Sequence, residues 1–93
     1  MTQRHERRRG KGLQATATYN PASIAAGANV STTITVLDAV LGDFVLASFS
    51  LDLAGLTLTA YVSSANTVTV VFANSTAGAV DLASGTITVL VMK

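Results

Sequence analysis

Within residues 56–74 two runs of alternating character meet at a turn, and the rest of the chain can be arranged about them. Leu56, Leu58, Ala60 and Val62 share one parity and Thr57, Thr59, Tyr61 and Ser63 the other, which is the period of two that a half-buried strand requires. Val68, Val70 and Phe72 repeat the alternation after Ser64-Ala65-Asn66, a short connection whose asparagine tolerates the positive φ of a tight hairpin. A β-hairpin with its leucines, valines and phenylalanine inward is predicted here.

The same reading extends in both directions. Residues 14–19, Gln-Ala-Thr-Ala-Thr-Tyr, predict a strand with small residues inward, ended by the turn signal Asn20-Pro21. Residues 22–29 are alanine-rich and broken by Gly27, and read as a connection with room for one helical turn. Residues 30–37 predict a second strand with Val30, Ile34 and Val36 on the side of Thr32, and with Ser31, Thr33 and Thr35 opposite. After a loop closing on Gly42-Asp43, residues 44–49 are almost continuously apolar, as expected of a strand in the middle of the body. Residues 74–84 hold Gly78, Asp81 and the short apolar piece Ala79-Val80, and residues 85–92 predict a last strand with Ile87, Val89 and Val91 inward. About six strands divided by turn signals, with hardly any stretch that could sustain a helix, predict an all-β fold, a small antiparallel β-sandwich or barrel. The 13 threonines fit this prediction, because a β-branched hydroxyl side chain keeps an outer sheet face β-prone without making it sticky.

Composition adds an expectation about assembly. A 93-residue chain makes one domain with a modest core, yet 49% of its residues are hydrophobic and only 12% charged. That is more apolar surface than so small a body can hide, and it predicts a homo-oligomer, a homotrimer being favoured, with Tyr61 and Val71 on the outer face of the hairpin. The apolar runs, such as 44–47 and 89–92, are four residues long, far short of the roughly 20 needed for a membrane-spanning helix. The cations near the start are followed by Gln14-Ala15-Thr16-Ala17-Thr18 rather than an apolar segment, so no secretory signal is expected either.

The net charge of +1 conceals a division. Residues 1–12 hold five cations, Arg4, Arg7, Arg8, Arg9 and Lys11, against Glu6, for a local charge of +4; residues 13–93 hold Lys93 against four aspartates, for −3. The chain is therefore read as a basic N-terminal arm, 1–12, on a weakly acidic β-sandwich body, 13–93. Arginine outnumbers lysine in the arm, which favours bidentate pairing with carboxylates or phosphates. With an acidic body and no aromatic-basic platform, a nucleic-acid partner is not expected, and an acidic protein surface is the better fit to the five arm cations.

Reactive chemistry finds no footing. The one histidine, His5, lies in the arm, so no base is at hand for a nucleophile in the body, and no enzyme is expected. Asp38, Asp43, Asp52 and Asp81 each sit in or beside a turn, where aspartate bonds local amides. The chain contains no cysteine, and no zinc site, cofactor or other metal site is predicted. Gly10-Lys11-Gly12 lacks the upstream glycine and following hydroxyl of a phosphate loop. Asn29-Val30-Ser31 and Asn74-Ser75-Thr76 match the glycosylation acceptor pattern, which has meaning only on a secretory route.

One resemblance goes further. Leu41-Gly42-Asp43, Ala60-Tyr61-Val62-Ser63 leading to Ala65-Asn66-Thr67-Val68-Thr69-Val70, then Asn74, Asp81 and Ser84-Gly85-Thr86 form a series that resembles small β-rich virion proteins of tailed bacteriophages. It covers residues 41–91, a little over half of the chain, and its marks are turns and strand alternation. What the resemblance implies is a structural virion protein that decorates and cements the outer surface of the capsid, often as a trimer, with the major capsid protein as partner. On that reading the arm staples neighbouring capsid subunits. The alternative is a tail- or fibre-associated module that binds a host surface glycan and uses the arm as its anchor.

Overall fold

The computed structural model describes residues 12–93. Six strands form two antiparallel three-stranded sheets: β1 Gly12–Tyr19, β2 Asn29–Thr35, β3 Phe44–Phe49, β4 Thr57–Ser64, β5 Thr67–Ala73 and β6 Gly85–Met92. The first sheet has the order β1-β6-β3 and the second β2-β5-β4. Of the two architectures expected, this is the sandwich. No helix occurs among the described residues.

The alternation read from the sequence is the alternation of burial. Val68, Val70 and Phe72 on β5 face Ile87, Val89 and Val91 on β6, all six fully buried, and Ile34, Val36, Leu56 and Val62 close the core around them. β5 and β6 are the middle strands of their sheets, which is why they carry the deepest side chains. Leu13, Ala15, Ala17 and Tyr19 on β1 and Val45, Ala47 and Phe49 on β3 pack against this centre from the flanks. Phe72 lies between two rings of the opposite sheet, stacked on Tyr19 at 5.6 Å and edge-on to Phe49 at 5.3 Å between centroids.

The turns behave as their chemistry requires. Asn66, at φ 64°, makes the β4–β5 hairpin, with the register shifting between Val62 and Ser64. It also holds the loop after β2: its carbonyl accepts from Val36 N–H, its own N–H donates to Ala39 O, and its Oδ1 accepts from Asp38 N–H at 2.8 Å. At the opposite end Asn74 is 2% exposed and fully bonded. Its Nδ2 donates to Ile24 O and Gly78 O, and its Oδ1 accepts from the N–H and hydroxyl of Thr76.

Two expectations need correction. Residues 44–49 form an edge strand rather than a middle one, because β6 takes the centre of that sheet and β3 has a single strand neighbour in it. The connection 22–29 contains no helical turn; Ile24 instead forms an isolated antiparallel bridge with Val80 and is buried in the core.

Truncating Phe72 to alanine removes the ring between Tyr19 and Phe49, and a loss of about 3–5 kcal/mol is expected, read as a lower urea midpoint at unchanged slope. Ala54 sits at φ 52° beside Gly55 at φ 91° in the turn that enters β4, a conformation that disfavours a non-glycine residue by roughly 1 kcal/mol and that asparagine accepts more readily. Ala54→Asn is therefore expected to stabilise the protein by roughly 0.5 kcal/mol in the same titration.

Candidate interaction surface

The two outer faces of the sandwich differ in kind. Outward positions of the second sheet are Ser31, Thr33 and Thr35 on β2, Thr67, Thr69 and Val71 on β5, and Thr57, Thr59, Tyr61 and Ser63 on β4. That face is a carpet of hydroxyls interrupted by Tyr61 and Val71. On the first sheet the registers build four rows across β1, β6 and β3: Gly12–Met92–Phe44, Gln14–Leu90–Leu46, Thr16–Thr88–Ser48, and Thr18–Thr86 with Ser50 beyond β3. Two rows are polar and two are apolar.

The apolar rows are open to solvent. Phe44 is 76% exposed, Leu46 60% and Met92 47%, and Leu41, in the turn leading into Phe44, is 65%. Such side chains outward on an edge strand explain the almost unbroken run at 44–49: its inward half packs on the core and its outward half makes this surface. A glycine extends the surface to the third strand. A Cβ at Gly12 would lie 2.6 Å from Leu90 Cδ1, so the leucine leans across β1 over the position where a side chain is missing. Part of the exposed apolar surface expected from the composition thus lies here, and Leu37, Val40, Leu51 and Tyr61 are exposed outside these rows.

One ion pair stands at the rim of the patch. Lys93 Nζ donates to Asp43 Oδ2 at 2.7 Å and to Asp38 O at 3.0 Å. Asp43 Oδ2 also accepts from Val40 N–H, and Asp43 N–H donates to Val40 O, closing the turn that carries Leu41. The Lys93 hydrogen bond, then the Val40 amide, holds the Asp43 carboxyl below its ordinary value. Asp52 Oδ1 accepts from Ala54 N–H in a turn of its own. Asp43 and Asp52 are thereby engaged in turn chemistry as expected, and among the described residues no three of His, Cys, Asp or Glu come together as metal ligands.

The arm cations Arg4, Arg7, Arg8, Arg9 and Lys11 lie outside the described residues, but the arm's point of attachment does not. It joins the body at Gly12, in the outermost apolar row. Of the two acceptor-pattern asparagines, Asn74 has both amide hydrogens committed inside the fold, whereas Asn29 is exposed at the start of β2. Sequence reasoning missed the apolar face because an edge strand with one face exposed and a middle strand with both buried have the same composition. No protein-family model matches the chain, and no curated protein does.

Because the folded carboxyl of Asp43 has a depressed pKa, its contribution to stability is complete above the unfolded value of roughly 3.9 and fades as pH falls through the folded value. Lys93→Met is expected to lower the denaturant midpoint at neutral pH, with the difference from wild type narrowing as pH falls through that window.

Proposed function

We propose that this chain is a structural virion protein that decorates and stabilises a phage capsid, the sandwich standing on the outer surface of the shell and the basic arm stapling neighbouring copies of the major capsid protein. The observation that carries the reading is the juxtaposition of an exposed apolar sheet face with the root of an arm of charge +4, the features of a protein-binding module rather than of a reaction centre. The disposition of the aromatics supports a protein partner over a nucleic acid or a glycan. Tyr19, Phe49 and Phe72 are packed against one another, and Phe44 and Tyr61 stand on opposite outer faces, so no two exposed rings form a stacking platform. The resemblance of residues 41–91 to small virion proteins supports the particle as the setting.

Salt and truncation test it together. Removing residues 1–11, which leaves β1 whole from Gly12, is expected to give a folded body that attaches to capsids at least tenfold more weakly. Binding of the full chain to emptied, DNA-free shells is expected to fall with salt more gently than the slope of roughly −4 to −5 in log K that five phosphate contacts would produce. Tight binding to free DNA together with no attachment to emptied shells would reverse the assignment.

A further inference from the structure

We infer that the apolar outer face of the β1-β6-β3 sheet is a self-association surface, occupied by the same face of a second copy of this chain about a two-fold axis parallel to the strands. The pairing uses the same apolar face that the capsid reading cites, and its test is made on the purified protein alone, apart from any capsid.

Three observations carry it. The first is extent. Phe44, Leu46 and Met92 stand 76%, 60% and 47% exposed in two adjacent rows of one sheet face, with Leu41 65% exposed in the turn leading into Phe44, the kind of grouped apolar exposure that marks a protein-binding surface. The second is charge. Asp43 and Lys93 at the rim neutralise each other, so two copies meet without the like-charge repulsion that an unpaired rim residue would repeat across the axis. The third is shape. An axis along β6 exchanges β1 with β3, and because Gly12, Met92 and Phe44 share a row, Phe44 of each copy falls on the glycine position of the other. There it meets Leu90, which leans over Gly12, so the projecting ring lands on an apolar floor. A pair of this kind differs from the homotrimer that the composition favoured.

Sedimentation equilibrium of the full chain from 1 to 200 µM is expected to show a monomer–dimer equilibrium with micromolar Kd. Phe44→Ser with Leu46→Thr, at exposed positions whose loss leaves the core intact, is expected to raise Kd at least 30-fold with the thermal midpoint nearly unchanged, and Tyr61→Ser on the opposite face to leave Kd within twofold. In a chain without cysteine, Thr88→Cys on β6 beside the axis is expected to cross-link to itself with a short bismaleimide, and Thr69→Cys on β5 is not. A monomer at 200 µM, a trimer, a dimer indifferent to Phe44 and Leu46, or cross-linking through Thr69 rather than Thr88 would each overturn the inference. Capsid attachment of the same variants is a separate readout, so failure of the pairing leaves the arm-stapling reading to be judged by its own test.

Discussion

Everything in the sandwich depends on β6 lying between β1 and β3. Those two strands share no hydrogen bonds with each other, and each is tied into its sheet by its full length along β6. The inward side chains of β6, Ile87, Val89 and Val91, are also half of the central core, the other half being Val68, Val70 and Phe72. One strand thus supplies both the hydrogen-bonding and the apolar closure of the first sheet. The second sheet is different, since β4 and β5 are joined by a local hairpin and need only β2 from farther away. Local hairpin contacts close small loops and the β6 pairings close large ones. Hairpin first and β6 last is the order of assembly that loop closure favours.

The contrast between the outer faces follows from a simple division of residue types. Threonine and serine occupy nearly every outward position of the second sheet, and hydroxyls there satisfy water while the branched Cβ satisfies the pleat. In the first sheet the same solution covers only the two rows nearest Tyr19 and Phe49; toward Gly12 it gives way to Phe, Leu and Met. A free edge strand with an apolar outward face is a liability in a lone domain, and its restriction to one end of one sheet fits a surface made to be covered.

Much of the fold was legible in the sequence because burial follows a period of two. The strands of the hairpin and the inward sets of β2, β5 and β6 rest on that period, while the asparagine turn was read from its turn chemistry and β3 from its apolar run. What was not legible is what lies beside a strand. The run Phe44 to Ala47 has the composition of a middle strand, and nothing within it tells whether the second apolar face meets the protein's own core or a second molecule. The Ile24–Val80 bridge was equally hidden, because a single buried pair spans a long sequence separation without a period to announce it. Asn74 stood out only as part of a three-residue acceptor pattern, yet in the fold its side chain ties Ile24 to the loop of Thr76 and Gly78 through four hydrogen bonds. The positively charged arm was plain from composition, and the apolar face beside its root was not.

Asn74 has one more consequence, which concerns chemical ageing. Asparagine followed by serine is prone to slow deamidation, in which the next backbone nitrogen attacks the side-chain carbonyl and ammonia leaves. Here the carbonyl oxygen is held by Thr76 and both amide hydrogens are held by Ile24 O and Gly78 O, which fixes the group and removes the freedom to turn toward its attacker. The aspartate that the reaction would create could not make those two donations, one of which goes to the buried carbonyl of Ile24. The clamp that joins two loops of the sandwich therefore also shields the side chain that forms it from this reaction.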